Sequence, residues 1–169
     1  MIIRDATPAD AAAITALHNH NVRESTALWT VEETTEADRA AWIIQRQAAG
    51  FAVLVADAPG FTGYASYGPF RDKDGYDLTV ENSVYVTPEA QGRGIARALM
   101  EALIEHARER GFHAMIGAVE SANAGSLHLH RSLGFQTVGQ MPQVGQKFGR
   151  WLDLTLVQLT LDASSTPPG

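Results

Sequence analysis

Residues 91–96, Gln-Gly-Arg-Gly-Ile-Ala, form a glycine-rich segment between a β-rich run and a helical pattern. Gly92 and Gly94 allow backbone N–H groups to converge on a polyanion without side chains in the way. A helix that begins here adds unpaired N–H donors and the positive end of its dipole. This arrangement favours binding of a phosphate or pyrophosphate group, and the alternative is a strand-to-helix turn without a ligand.

Two common phosphate loops do not fit this segment. The dinucleotide fingerprint needs a small residue three positions after its second glycine, where this chain has Arg97. The Walker loop needs Gly-Lys followed by Ser or Thr, which is absent. The pattern that remains is Gln91-x-x-Gly94-x-Ala96.

Glu81 interrupts a run of Val, Thr, Ser and Tyr that is typical of a strand. A carboxylate is out of character in such a run unless it faces a wet site, which makes Glu81 a candidate for proton chemistry. The alternatives are a carboxylate that points to bulk solvent or one that pairs with an arginine.

Two histidine pairs, His18 with His20 and His128 with His130, raise the question of a metal site. Residues two apart on a helix project to different faces, so neither pair favours a shared ligand set. We therefore expect no metal.

The composition indicates one compact domain, residues 1–162, because 169 residues with 45% hydrophobic content bury a sizeable core but do not divide comfortably in two. The net charge of -6 and the lack of clustered Lys and Arg argue against nucleic acid as the partner. With no cysteine, disulfides, thiolate metal sites and a cysteine nucleophile are excluded.

Neither end of the chain carries a long apolar run. Arg4 and Asp5 are followed by no long apolar run, so we expect neither a signal peptide nor a membrane span, and a cytoplasmic location is the simplest interpretation. Residues 163–169, rich in Ser, Thr and Pro, are predicted to be a disordered tail.

The element order is predicted from caps, periodicity and turn residues. Thr7 with Pro8, and Thr35 with Asp38, favour the starts of two helices that follow a first short strand. The other predicted strands are 51–57, 61–67, 79–87, 114–119, 135–140 and 151–161, and the other predicted helices are 95–110 and 124–133. The resulting order, β-α-α-β-β-β-α-β-α-β-β, predicts an α/β fold whose mixed sheet combines antiparallel hairpins with a parallel portion near the glycine-rich segment.

This order and the 91–96 segment together resemble the GNAT N-acetyltransferases over nearly the whole chain. Within that superfamily, the chain is similar to the phosphinothricin and the methionine sulfoximine or sulfone N-acetyltransferases. Four runs carry this resemblance: GYASYGPFR (63–71), YDLTVENSVYV (76–86), NAGSLHLHRSLGF (123–135) and GQKFGRWLDL (145–154).

The resemblance implies acetyl-CoA as donor and a primary amine as acceptor, joined in one ternary complex without a covalent enzyme intermediate. The strand that carries Tyr85 is expected to splay from its parallel neighbour, 114–119, with the pantetheine arm in the gap. The pyrophosphate is expected on the 91–96 segment, with Arg93 and Arg97 steering the nucleotide phosphates. Asn123 either binds the cofactor, caps the last helix or does both. The full expected set is Val84, Tyr85, Val86, Gln91, Gly92, Arg93, Gly94, Ile95, Ala96, Asn123, Ser126 and Ser132.

The resemblance also implies two catalytic residues. Glu81 is expected to act as the base that neutralises the amine, directly or through water. His130 stands where many GNAT enzymes carry a tyrosine that serves the leaving thiolate, and a histidine there is able to donate a proton near neutral pH. A buried structural histidine is the alternative.

For the acceptor, Arg71 is expected to hold a carboxylate with its fork of donors, supported by Lys73. The walls of the pocket are expected to include Leu28, Trp29, Phe70 and the segment from Lys147 to Trp151. The alternatives are a solvated loop of mixed charge at 71–75 and, for the aromatic residues, core or dimer contacts. Asp77 matches the phosphinothricin branch and not the basic residue of the methionine sulfone branch, so the sequence predicts a small amino acid analogue without choosing among them.

Two other functions stay open at this stage. One is an N-terminal peptide or protein acetyltransferase, which needs an open groove, and the other is a noncatalytic acetyl-CoA sensor, in which Glu81 has no chemical role. A homodimer is expected from the resemblance.

Overall fold

A seven-stranded mixed sheet, with strand order β1-β2-β3-β4-β5-β7-β6, forms the centre of the protein. The structure is a computed structural model that describes every residue from Met1 to Gly169. The strands are β1 (Ile2–Asp5), β2 (Val53–Asp57), β3 (Phe61–Pro69), β4 (Thr79–Val86), β5 (Ala114–Glu120), β6 (Gln136–Lys147) and β7 (Arg150–Thr160). The helices are α1 (Ala11–Glu24), α2 (Glu36–Ala48), α3 (Ile95–Glu109) and α4 (Ala124–Ser132). The predicted α/β class and element order are confirmed.

The helix starts follow their capping residues. The Thr35 hydroxyl accepts from the Asp38 N–H at 3.1 Å, and the Asp38 carboxylate bonds back to Thr35, which is a capping box. The first helix differs from the prediction in detail, because Pro8–Asp10 form a 3₁₀ turn before α1 begins. Asp10 is held there by the Thr7 N–H at 2.7 Å and by Arg4.

The two faces of the sheet carry separate groups of apolar side chains. Alternate residues of a strand point to opposite faces, and β3 shows this directly. Tyr64 packs with Ile14 and Ile43 beneath α1 and α2, whereas Tyr67 packs with Leu99 and other residues beneath α3. Residues of β4 that lie across from Tyr64 and its even-numbered neighbours therefore face α1 and α2.

Strands β4 and β5 form the parallel part of the sheet. Their pairing runs from Thr79 opposite Ala114 to Asn82 opposite Gly117 and stops there, although both strands continue. The second halves of the two strands diverge, so backbone groups of β4 beyond Asn82 have no partner on the β5 side. The predicted splay of these strands is confirmed.

The largest departure from the predicted elements is β6, which extends to Lys147 instead of ending near residue 140. It pairs with β7 through two register irregularities and a two-residue turn. Residues 163–169 contain no helix or strand and are exposed. None of the helices combines the length and the apolar character needed to cross a bilayer.

Candidate active site

A cleft of about 690 Å³ opens where β4 and β5 diverge. Its walls come from the second half of β4, the 91–96 segment, the start of α3, the end of β5 and the exposed side of α4. Ligand-binding pockets of folded proteins fall in this range of size. The lining includes every residue expected to bind the cofactor except Arg93.

The 91–96 segment has the backbone shape that a phosphate site needs. Gly92 and Gly94 have φ values of +74° and +77°, in the left-handed region that favours glycine. A Cβ at either position would meet no atom within 4 Å, so the space above the loop is open. The first intrahelical bond of α3 runs from the Ala98 N–H to the Gly94 carbonyl at 3.1 Å, which leaves the preceding N–H groups without a helical acceptor. These residues fit a pyrophosphate.

The side chains of Arg93 and Arg97, beside the 91–96 segment, point in different directions. Arg93 donates to the Ala58 carbonyl at 3.3 Å and does not line the cleft, contrary to the expectation that it faces the phosphates. Arg97 lines the cleft and donates to Ser132 Oγ at 2.6 Å and to Glu101. Of the two guanidinium groups, that of Arg97 is therefore in position to attract an anion at the loop.

The start of α4 borders the cleft through Asn123. Its side-chain oxygen accepts from the Ser126 N–H at 3.0 Å and caps the helix. Asn123 and Ser126 both line the cleft, so capping and contact with a ligand are compatible.

Glu81 lies on the face of β4 that α1 and α2 cover, directly across from Gly68 of β3. The carboxylate is half-buried and makes no hydrogen bond or ion pair. Burial raises the pKa of Glu81, and the positive charge of Arg71 opposes this rise. An unpaired carboxylate with a raised pKa is suited to accept and release a proton.

His130 is buried on the opposite face of the sheet, where it lines the cleft. Its Nδ1 lies 2.8 Å from the Ser126 carbonyl oxygen, and its Nε2 lies 3.0 Å from Oδ1 of Asn82. The ring also contacts Phe135 edge to face, with 4.9 Å between ring centroids. Burial lowers the pKa of His130, and the hydrogen bond to Ser126 acts against this.

Both ring nitrogens of His130 thus face hydrogen-bond acceptors. Neutral imidazole has one donor and one acceptor nitrogen, so this arrangement is fully satisfied only when both nitrogens carry protons. Turning the Asn82 amide would place its oxygen against the Ile116 carbonyl, to which Nδ2 now donates at 3.1 Å. The geometry therefore supports proton binding, while burial disfavours the charged form.

Asn82 is a site residue that the sequence analysis missed. It is the last β4 residue paired with β5, and its partner in the register is Gly117. A Cβ at Gly117 would lie 2.9 Å from Nε2 of His130, so the absence of a side chain there makes room for the ring. A polar residue after Glu81 in a strand gives no sequence signal for this contact.

The residues expected at the acceptor are divided between two regions. Arg71 is exposed, and its guanidinium carbon lies 5.1 Å from the ring centroid of Phe70. Lys73 is exposed and its ammonium makes no hydrogen bond or ion pair. Trp29 packs on Gly145 of β6, where a Cβ would collide with the indole ring.

Lys147, expected in the wall of the acceptor pocket, has an ammonium group that is already held by backbone carbonyls. It is 4% exposed and donates to the carbonyls of Ser25 and Leu28, both at 2.6 Å, and of Asn21 at 3.4 Å. These contacts fasten the end of α1 and the following loop to β6, and a cation at a helix C-terminus is favourable. Lys147 therefore holds the loop after α1 in place.

Replacing Lys147 by methionine is expected to lower the free energy of unfolding by about 1–3 kcal/mol, because buried carbonyls lose their donor. Chemical denaturation measures the change, and Lys73→Met is the control because its ammonium has no partner. Equal stability of the two variants would contradict this role.

The comparisons with known proteins identify the family of this chain. Residues 14–135 match the model of the Acetyltransferase (GNAT) family, and the chain belongs to this family. It is an acetyl-CoA-dependent acyltransferase, and the resemblance inferred from the sequence is confirmed.

Two related enzymes and one solved structure are similar to most of this chain. The L-methionine sulfoximine/L-methionine sulfone acetyltransferase of Salmonella typhimurium is 51% identical over 168 residues, which cover 99% of this chain and 98% of the relative. The phosphinothricin N-acetyltransferase of Alcaligenes faecalis is 37% identical over 159 residues, with coverage of 93% and 81%. The solved structure of yncA from Salmonella typhimurium with its cofactor acetyl-CoA has a TM-score of 0.96 at 49% identity, with coverage of 99% and 97%.

Proposed function

We propose that this protein transfers an acetyl group from acetyl-CoA to the α-amino group of a small amino acid analogue of the phosphinothricin or methionine sulfoximine and sulfone type. The observation that carries this proposal is the unpaired, half-buried Glu81, which lies near Arg71 on a strand that continues into the cleft wall. An amino acid carries an ammonium group, which Glu81 is able to deprotonate, and a carboxylate, which Arg71 is able to bind. The named relatives support the same acceptor class.

In the proposed reaction, Glu81 accepts a proton from the acceptor ammonium. An α-amino group has an ordinary pKa of about 7.7–8.0, so a modest base is enough. Acetyl-CoA supplies a thioester carbonyl, to which the neutral amine forms a C–N bond. The C–S bond then breaks, and the nitrogen releases its second proton to water. His130 donates a hydrogen bond or its proton to the departing sulfur.

The two proton-handling residues lie on opposite faces of β4, since Glu81 and Asn82 are consecutive and Asn82 contacts His130. The gap between the diverging strands joins these faces. Glu81 therefore serves the amine from the α1 and α2 side, and His130 serves the sulfur from the α4 side, without exchanging a proton directly.

The experiment that tests this function measures thiol release from acetyl-CoA across several amines, with each acetylated product confirmed by mass. The panel contains phosphinothricin, methionine sulfoximine, methionine sulfone, polyamines and N-terminal peptides. Turnover confined to the amino acid analogues supports the proposal. Turnover only on peptides indicates a peptide acetyltransferase, and cofactor binding without turnover indicates a sensor.

Replacing Arg71 by alanine is expected to raise KM for acceptors that carry an α-carboxylate by about tenfold, because a charge-assisted hydrogen bond is lost. The KM for an amine without a carboxylate should change little. Steady-state kinetics with methionine sulfone and its decarboxylated amine measure the difference. A similar rise for both acceptors would remove Arg71 from the site.

We also propose that the protein is a homodimer and acts in the cytoplasm, where acetyl-CoA is available. Large apolar side chains are exposed along the edge strand β6 and its turn to β7, which is unusual for a monomer surface. These residues are Val138, Met141, Val144, Phe148 and Trp151. Analytical ultracentrifugation tests the oligomeric state, and a monomer mass at micromolar concentration would refute it.

A further inference from the structure

Two arginines of α2 lie side by side on the face of the sheet that contains Glu81. The guanidinium carbons of Arg39 and Arg46 are 4.9 Å and 5.6 Å from the ring centroid of Trp42. Positions 39, 42 and 46 share one face of the helix, because they follow its period. The three side chains therefore form a cationic cluster built on one indole ring.

No carboxylate forms an ion pair with this cluster, although the charge of Arg39 acts on the adjacent Asp38. The side chain of Arg46 makes no hydrogen bond. The hydrogen-bonding neighbour of Arg39 is the ring of His18, whose nitrogens both lie 3.1 Å from Nη2. The Nε atom of Arg39 is buried without any partner.

The environment makes these unpaired donors costly. Burial and the charge of Arg39 lower the pKa of Arg46, and the same two causes lower the pKa of His18 to about 4, which leaves His18 neutral. Two like charges near one another, partly removed from water and rich in unused N–H groups, are stabilised by an anion. Stacking on Trp42 offsets part of this cost but satisfies no N–H donor in its plane.

The position of Arg46 relates the cluster to the proposed acceptor site. Its Nη1 fills the space above Gly68, where a Cβ would collide with it. Gly68 pairs with Glu81 across β3 and β4, and directly opposed residues project to the same face of a sheet. Arg46 and Glu81 thus belong to neighbouring positions on one surface.

An aromatic row joins the other end of the cluster to the cleft. Trp42 contacts Tyr64 edge to face at 6.4 Å between ring centroids, and Tyr64 contacts Tyr85 at 5.2 Å. Tyr85 lines the cleft. Tyr64 is buried, so this row connects the cluster to the cleft wall through the core beneath α1 and α2.

We propose that Arg46, supported by Arg39, is an anion subsite that binds the oxygen atoms of an acidic group at the far end of the acceptor's side chain. This rests on the proposed function, in which the acceptor's amino group lies at Glu81 and its α-carboxylate at Arg71. Arg71 is close enough to Glu81 to influence its proton affinity, which suits the carboxylate next to the amine. Arg46 then binds the second acidic group, at the far end of the acceptor's side chain.

The kinetic test compares an acceptor whose side chain is anionic, phosphinothricin, with one whose side chain is neutral, methionine sulfone. Arg46→Met should raise KM for phosphinothricin by about tenfold or more and change KM for methionine sulfone less than threefold, since the loss of a charged hydrogen bond affects only the former strongly. The value of kcat and the KM for acetyl-CoA should stay within twofold. Arg23→Met is the control, because Arg23 pairs with Glu33 on the surface of the protein.

Equal losses on both acceptors, or a loss confined to methionine sulfone, would overturn the subsite. Arg46→Lys keeps a positive charge and should retain most of the preference for phosphinothricin, which covers the case in which the methionine variant fails to fold. Arg71→Ala should instead affect both acceptors, because each has an α-carboxylate.

A binding measurement separates failure of the subsite from failure of the proposed function. With CoA at saturation, so that the 91–96 segment is filled, inorganic phosphate should raise the melting temperature of the native protein more than that of Arg46→Met. If neither amino acid analogue is acetylated but this difference persists, the anion subsite stands and the acceptor proposal fails. If phosphate affects both proteins equally, the subsite is refuted.

Discussion

Replacing Glu81 by glutamine lowers kcat by about 10²-fold or more, which is the usual contribution of a general base. The amide keeps the size of the side chain but accepts no proton from the ammonium. The binding of acetyl-CoA should survive, since the cleft walls come from β4 beyond Asn82, the 91–96 segment and α4. Steady-state kinetics and isothermal titration with CoA measure the two effects separately.

The variant should fold at least as well as the native protein at neutral pH. Burial raises the folded-state pKa of Glu81 above its unfolded value, so the folded state binds the proton more tightly. The corresponding stability is present at low pH and is lost as the pH rises through the folded pKa. Glutamine removes this loss, and a denaturation midpoint no lower than that of the native protein at pH 8 separates a chemical defect from misfolding.

The pH dependence of kcat/KM gives the result that would contradict a base role for Glu81. In the proposed reaction the carboxylate of Glu81 is the active form, so we expect activity to fall as the pH decreases through its raised pKa. Because Arg71 lowers this pKa, Arg71→Ala should move the acid limb of kcat/KM to higher pH. An acid limb that persists unchanged in Glu81→Gln would show that another group titrates, and Glu81 would lose its role.

The features that the sequence predicted well are those set by local backbone needs. Gly92 and Gly94 are the glycines with positive φ that a turn into α3 requires, and the Thr35 to Asp38 spacing matches the observed capping box. The divergence of β4 from β5 is expected from the resemblance, and in the structure it begins after Asn82. Local chemistry and element order were therefore enough for the fold and the cleft.

The features that it missed depend on contacts between distant segments. Lys147 is expected in the wall of the acceptor pocket, but its ammonium donates to backbone carbonyls of residues more than 100 positions earlier in the chain. The turn after β6 places Phe148 at a φ of +51°, where asparagine or glycine is typical, so Gly149 was the only turn signal for the hairpin. The position of the Arg46 side chain depends on the absence of a side chain at Gly68, and no local sequence pattern relates these two residues.

The structure also changes the interpretation of two expected site residues. Arg93 follows the glycine-rich pattern but turns towards the Ala58 carbonyl, because the left-handed residues on both sides reverse the chain around it. The sequence predicts either an acid or a buried structural residue at His130, and the contacts of its ring are compatible with both roles. The ring is held by Ser126 and Phe135 while it borders the cleft through Nε2 and Asn82.

Replacing His130 by phenylalanine should lower kcat by about 10²-fold, because the departing sulfur loses its donor while an aromatic ring still packs against Phe135. The matched variant is His130→Tyr, which differs from it by one hydroxyl group. Tyrosine should recover a large part of the rate, and the KM for acetyl-CoA should be similar in both variants. Equal rates for the two variants would indicate that His130 acts only through packing.

A second substitution tests the proton on the ring itself. Asn82→Asp places a carboxylate 3.0 Å from Nε2, and an opposite charge at this distance raises a histidine pKa by about 1–3 units. The imidazolium is then lost at higher pH, so the alkaline decline of kcat should move upward together with the NMR titration of the His130 ring. If the NMR titration moves and the decline in kcat does not, the proton of His130 takes no part in the step that limits turnover, and the role of Asn82 is confined to packing the ring against Gly117.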